Sequence, residues 1–336
     1  MGAILAAPDL TPASLDYALL NDFQRDLPLV PRPYEVLAHR LGCPEATVVT
    51  RLSALQAGGS VSRVGVVFAP RRVGASTLAA LAVPPDRLDE VAKLVNAHPG
   101  VNHNYEREHT WNLWFVATAP DQAALTAALA VIRRESACPL LVLPLATEYH
   151  IDLGFDLGNG RRALAAQTQP EGPPQRVLND EEQRLVVAIQ DGLPLESRPF
   201  AALGQAAGLT ESRVLALLAA WLEEGIAKRC GVVVRHHELG FRANAMGVWA
   251  IPEERADALG QRLAREEGIN LCYRRQPAPG WPYNLYCMVH GRDRLVVENR
   301  IHQLNQELGL DVYPSAVLFS LRRFKQRGAC YGRVAP

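Results

Sequence analysis

Residues 26–37 read DLPLVPRPYEVL, and residues 192–203 read GLPLESRPFAAL. Leu27-Pro28-Leu29 returns as Leu193-Pro194-Leu195, Arg32-Pro33 as Arg198-Pro199, and Tyr34 as Phe200. Further on, Gly100-Val101-Asn102 with Tyr105 and Arg107 returns as Gly268-Ile269-Asn270 with Tyr273 and Arg275. The copies lie 166 and then 168 positions apart, far beyond the ~20–50-residue period of a solenoid. The chain is therefore a duplicated unit, and each half is a control for the other. A residue that both halves keep serves the fold; a residue that differs belongs to one site.

Working outward, each half opens with three expected helices, near 15–26, 33–41 and 45–58, and near 180–191, 199–207 and 211–224. Gly42 and Gly208 sit in the turn before the third helix, and Thr210 supplies a capping hydroxyl, so each trio reads as a helix-turn-helix. The β-rich runs 60–68 and 226–235 follow as wing-like strands. The rest alternates strand, helix, strand, strand, helix, strand: 78–83, 85–97, 101–107, 112–118, 121–135 and 140–145, then 245–250, 253–267, 270–275, 284–289, 292–307 and 312–320. That order is ferredoxin-like. The expected fold is α+β and internally duplicated, with helix-turn-helix units at 1–70 and 180–237 and ferredoxin-like units at 71–155 and 238–336. The Gly-, Pro- and Gln-rich stretch 156–179 reads as the linker. The two ferredoxin-like sheets are expected to associate as a pseudo-symmetric pair.

The 336 residues are 48% hydrophobic and 21% charged, with a formal net charge of zero. Broad phosphate binding needs an excess of basic residues, so neutrality argues against it. Lysine occurs only at 93, 228 and 325. The cationic charge is therefore nearly all guanidinium, whose planar fork suits carboxylates; a biased genomic base composition would give the same excess. The six cysteines are irregularly spaced without a C-x-x-C pair, which reads as reduced thiols in a cytoplasmic protein. The first residues lack the pattern of a signal peptide, and no apolar run is long enough to span a bilayer. No Gly-rich phosphate loop or G-x-S-x-G elbow appears.

The candidate recognition helices, EATVVTRLSALQAGG from 45 and ESRVLALLAAWLEEG from 211, are poor in basic residues. A helix that reads DNA needs such residues for phosphates and base edges. A packing role is the better reading; a transcription regulator answering to a small molecule is the alternative.

Helix-turn-helix plus ferredoxin-like domain resembles the Lrp/AsnC regulators. The strands VNHNYEREHTWNLWFV (101–116) and INLCYRRQPAPGWPYNLYCMVHG (269–291), with Arg322-Arg323-Phe324-Lys325 near the end, resemble the siroheme decarboxylases more closely. In that family D- and L-type halves occur fused, beside homologous G- and H-type subunits. The resemblance implies a lyase of haem d1 biosynthesis that removes carbon dioxide from two acetates of siroheme, giving didecarboxysiroheme. Siroheme is an iron isobacteriochlorin with eight carboxylates. No redox cofactor is implied, because the reaction is non-oxidative and the iron arrives in the substrate. The partners implied are siroheme and possible G/H-type subunits or further copies of the chain, with neither DNA nor membrane.

Such chemistry needs cations for the spectator carboxylates, a proton donor and a dry pocket. By the two-residue strand period His103, Tyr105 and Arg107 share one face, and Leu271, Tyr273 and Arg275 the corresponding one. His103 is a candidate donor or iron ligand. Tyr105, Arg107, His109, Trp111, Tyr273, Arg274, Arg275, Arg323 and Lys325 are candidates for substrate binding. Trp281 is either a cover for the macrocycle or part of a rigid hairpin. His150 is either a general acid or a loop histidine, and its counterpart is either Phe324 or Lys325. His39, His290, His302 and the His236-His237 pair read as structural. Because His103 becomes Leu271, two pseudo-equivalent pockets are expected, of which one carries the full set of groups.

Overall fold

A computed structural model describes residues 7–151, 177–235 and 243–331. Most of the expected linker, and the His236-His237 pair, lie outside the described residues.

The helix-turn-helix of the first half is built from α1 (Leu15–Asn21), α2 (Pro33–Leu41) and α3 (Glu45–Ala57); that of the second from α6 (Asp180–Ile189), α7 (Pro199–Ala207) and α8 (Glu211–Glu223). The repeated Arg-Pro explains the shared start of α2 and α7. Proline fixes φ near the helical value, and its missing N–H is no loss in the first turn. Gly42 and Gly208 end both helices in the left-handed conformation (φ 65° and 68°), which other residues adopt at a cost. The strands that follow, β1 (Val61–Phe68) and β7 (Ala227–Val234), do not form a wing within each half. They pair with each other, antiparallel, and Gly65 pairs with its own counterpart Gly231. The pseudo-two-fold axis passes through that pair. A Cβ on Gly231 would collide with the Gln24 carbonyl, so glycine permits the loop after α1 to lie flat on the ribbon. Both trios share one hydrophobic core, from Leu19 and Tyr34 to Phe200 and Trp221.

The first ferredoxin-like unit contains β2 (Ala75–Leu81), α4 (Leu88–Ala97), β3 (Val101–Arg107), β4 (Leu113–Ala119), α5 (Gln122–Ser136) and β5 (Leu140–Leu143), followed by β6 (Leu145–Ile151). The second contains β8 (Ala243–Trp249), α9 (Glu253–Leu263), β9 (Ile269–Arg275), β10 (Leu285–Gly291), α10 (Arg294–Leu308) and β11 (Ser315–Gln326). Strand order is β5-β2-β4-β3-β11-β8-β10-β9-β6. Each unit keeps the ferredoxin-like order and receives a fifth strand from the other half. The beginning of β11 pairs with β8 and its end with β3, while β6 crosses to β9. The expected strand end near 145 is thus a break rather than a terminus. Pro144 has no N–H for the ladder, and its carbonyl instead accepts from Gln276 N at 3.1 Å.

The two exchanged strands obey one register. β11 meets β3 as Ser320↔Arg107, Arg322↔Glu106, Arg323↔Tyr105, Lys325↔Asn104 and Gln326↔His103. β6 meets β9 as Leu145↔Arg275, Thr147↔Arg274, Glu148↔Tyr273, His150↔Cys272 and Ile151↔Leu271. This equates His150 with Lys325 and Glu148 with Arg323. The helices cover the outer faces over separate cores. Between the sheets lies a further core that includes Trp114, Tyr273, Trp281, Tyr286, Met288 and Leu318.

Candidate active site

On β3 the even residues face the helix layer: the Asn104 amide donates to Asn96 and to the Ala92 carbonyl in α4. His103, Tyr105 and Arg107 therefore face the space between the sheets. The His103 and Tyr105 rings are stacked at 6.4 Å, and the Arg107 guanidinium lies 5.9 Å from the Tyr105 centroid. Arg323, directly opposite Tyr105, shares that face. Two further arginines, which the sequence analysis missed, act on this group by their charge from the ribbon, where Arg63 donates to Val66 O at 3.1 Å and Arg235 to Gly59 O at 3.0 Å. The charge of Arg63 on β1 acts on His103, and that of Arg235, just past β7, acts on Tyr105. Their signal in the sequence was weak, because they belong to the strands assigned to a wing.

The electrostatics follow from burial among like charges. Burial, then Arg63, pushes His103 down to about 4, so its imidazole is neutral near pH 7. Asn102 Oδ1 lies 3.1 Å from His103 Nδ1 and can only accept, so Nδ1 carries the hydrogen and Nε2 keeps its lone pair. Burial raises the Tyr105 phenol, while Arg107, Arg323 and Arg235 pull it back; Tyr105 keeps its proton. Burial lowers Arg107 to about 10, which leaves it charged. Arg107 Nη1 donates to Leu318 O at 3.0 Å, and Nη2 lies 4.0 Å from Met288 Sδ, a weak acceptor. Among the described residues no carboxylate pairs with it.

Arg275 repeats the first of these bonds, donating to Leu143 O at 2.6 Å, the counterpart of Leu318. Both arginines thus pin the point where the last strand leaves its own sheet, a fold role that the repeated motif encodes. The inward face of β9 otherwise differs from that of β3. Tyr273 stacks on Tyr286 at 5.5 Å, and Arg275 lies 4.6 Å from the Tyr273 centroid. Leu271 replaces His103, and Glu148, ion-paired with Lys228, replaces Arg323.

Four expectations are corrected. Arg274 does not join Arg275 in a clamp: strand alternation turns it to the helix face, where it pairs with Glu253 and Asp257 of α9. Lys325 also faces outward and donates to the Asn96 and His98 carbonyls at the end of α4, at 2.5 and 3.3 Å. His150, its counterpart, is buried across from Cys272, whose thiol donates to the Gly260 carbonyl of α9. It is not grouped with His103. Trp281 is 1% exposed and donates to Tyr286 Oη at 2.7 Å. Its ring packs against Trp114, Tyr283 and His109. It is a plug between the sheets rather than an open cover. His109 and Trp111 flank that plug; the Trp111 carbonyl accepts from the Trp114 indole at 2.6 Å.

Residues 16–61 and 182–227 match the family described as the siroheme decarboxylase NirDL-like HTH domain, and residues 72–150 and 238–325 the AsnC-like ligand binding domain. The siroheme decarboxylase NirDL subunit of Paracoccus denitrificans (strain Pd 1222) is 46% identical over 327 residues, covering 97% of this chain and all of the relative. The crystal structure of a siroheme decarboxylase NirDL superposes with a TM-score of 0.69 at 30% identity, over 94% of this chain and 93% of that one. A second structure, of NirDL in co-complex with an iron-uroporphyrin III analogue, superposes with a TM-score of 0.67 at 31% identity, over 92% of each chain. With both halves matched in order and at full length, the chain belongs to the NirDL-type siroheme decarboxylase family.

Proposed function

We propose that this chain is a siroheme decarboxylase, a carboxy-lyase, and that it works in the pocket of the first half. The observation that carries the reading is the buried Arg107 beside Tyr105, with no carboxylate on it among the described residues, and with Arg323 opposite Tyr105 and the charges of Arg63 and Arg235 acting on His103 and Tyr105. A buried guanidinium without an acid is costly in an empty protein and well used by a ligand rich in carboxylates. The second pocket, with Leu271 and Glu148 at the matching positions, is a poor host for such a ligand.

In the reaction the bond from an acetate methylene to its carboxylate carbon breaks. Carbon dioxide leaves, and the electron pair stays on the methylene carbon, spread into the macrocycle. One proton then closes the methyl group. No electron is gained or lost overall, so no redox cofactor is assigned. Tyr105 is the proton-bearing group that faces the pocket. His103, neutral with Nε2 bare, suits the substrate iron. The arginines hold the carboxylates that do not react and orient the ring. A reading as DNA-binding regulator is disfavoured by the helix-turn-helix surface. Arg51, the lone basic residue of α3, is held by Asp16; Arg213 of α8 is held by Glu181, and Arg198 by Glu211 at the start of α8. Homologous G- and H-type subunits are assigned as candidate partners on the family's pattern.

The test is anaerobic incubation with siroheme, followed by mass spectrometry for the loss of one and then two molecules of carbon dioxide. A protein that neither binds nor decarboxylates siroheme overturns the reading.

A further inference from the structure

The sequence gives no sign that His290 differs from any core histidine, yet the structure sets it in a directed chain of polar groups. It lies on β10, on the face that carries Tyr286 and Met288 toward the space between the sheets. Its Nδ1 is 2.9 Å from Asn270 Oδ1, an acceptor, so Nδ1 carries the hydrogen. Its Nε2 accepts from Asn244 Nδ2 at 3.0 Å, and Asn244 Oδ1 accepts from Ser320 Oγ at 3.4 Å. Four strands, β8, β9, β10 and β11, are tied through one imidazole.

That chain borders Arg107. Ser320 is the register partner of Arg107. Met288, which receives Arg107 Nη2, stands two residues before His290 on the same strand face. The Arg107 charge acts on His290 directly and, after burial itself, helps to hold it down to about 4. Among the described residues the first half has nothing comparable. Thr118 occupies the matching position on β4 and bonds the Gly100 and Cys330 carbonyls. The two arginines differ accordingly: Arg275 lies 4.6 Å from its tyrosine ring, whereas Arg107 lies 5.9 Å from its own.

We propose that His290 is a positioning residue for substrate binding, acting through Arg107: bonded to Asn244 and Asn270, and through Asn244 to Ser320, it fixes the strand positions of Met288 and Ser320 beside which the guanidinium lies. The inference rests on the siroheme reading and adds to it a residue from the sheet facing β3. A cationic group in this place would repel Arg107. An apolar one would leave Asn244 and Asn270 without their partner and let the β11 crossing shift. His290 does not touch the reacting carbon in this scheme, so its loss belongs in binding rather than in the chemical step.

The experiment uses the full chain with siroheme, comparing the parental protein with His290→Phe and His290→Gln. Glutamine can donate to one asparagine and accept from the other but cannot take a charge. We expect His290→Phe to raise KM about tenfold or more with kcat changed less than threefold, and His290→Gln to restore KM to within about threefold. A fall in kcat at constant KM in both variants overturns positioning, since His290 would then handle the proton. Parental kinetics in a folded His290→Phe also overturn it, while the siroheme reading stands. If His290→Phe does not fold, His290→Leu takes its place under the same criteria, and a tenfold loss in KM in His290→Gln rejects hydrogen-bonded positioning. A parental protein that ignores siroheme removes the functional reading first, which is a separate result.

Discussion

The inward faces of β3 and β9 are one backbone with two sets of side chains. Tyr105 and Tyr273 match, and Arg107 and Arg275 make the same bond to the same carbonyl. Around that shared frame the first pocket has His103, Arg323 and, across the sheets, His290. The second has Leu271, Glu148 and Thr118. The difference teaches that what the duplication preserved is the strand crossing, and that what it released is the chemistry. Repetition alone therefore marks Arg107 and Arg275 as pins of the fold, and what distinguishes Arg107 is its company, His103 and Arg323 in place of Leu271 and Glu148.

The sharpest way to break the comparison is to treat the two tyrosines alike. Tyr105→Phe should lower siroheme turnover by roughly 10²–10⁴, the usual range for losing an acid–base group, while Tyr273→Phe stays within about threefold. Equal losses would show two working pockets. A comparable effect, on stability instead, is expected at the plug, which only the longer turn of the second half supplies. Trp281→Ala should cost about 3–5 kcal/mol in chemical denaturation, as for other buried aromatics. A cost under about 1 kcal/mol would mean that the sheets are not held together there.

Copying the second pocket into the first is a finer test. Arg323→Glu places the Glu148 side chain opposite Tyr105. It should raise KM for siroheme by roughly 10–150-fold, the equivalent of one charged hydrogen bond of ~1.5–3 kcal/mol; unchanged KM would remove Arg323 from the site. The histidines add a difference in acid stability. His103 and His290 are both held near 4 in the fold, against about 6.5 when unfolded. The unfolded chain thus binds more protons between those values. The stabilisation they carry is complete above pH 6.5 and is lost as pH falls toward 4. Denaturation midpoints should drop over that window, and His103→Leu should flatten the drop. The smallest effect is expected at Arg274, on the helix face with largely exposed acids. Arg274→Ala should leave turnover intact and cost under about 1 kcal/mol. Loss of activity there would restore Arg274 to the site.

Much of the fold was legible because local signals repeat. Arg-Pro starts α2 and α7, Gly42 and Gly208 end them, and the order of strands and helices gives both ferredoxin-like units. The faces of β3 and β9 followed from alternation. What was not legible is any relation between halves. Nothing local in Leu145–Ile151 or Arg322–Gln326 says that these strands pair with the other copy. That relation fixes whether Arg323, Lys325 and His150 look inward or outward: Arg323 shares the face of Tyr105, whereas Lys325 and His150 do not. Arg63 and Arg235 escaped for the same reason: a ribbon made from both halves brings them to β3.

The strand exchange also has a bearing on how the chain matures. Tyr105 and Arg323 are register partners, although most of a second domain pair separates them in sequence. Pairings so distant are slow to form, because loop closure must precede any gain from the contact. The first half can collapse around α4 and α5 early, yet the inward face of β3 stays unfinished until β11 arrives from the far half. Competence to bind a reactive tetrapyrrole thus becomes a late event in folding, tied to completion of both copies. A molecule assembled halfway would own His103, Tyr105, Arg63 and Arg107 but would lack Arg235 and Arg323, which the second half supplies.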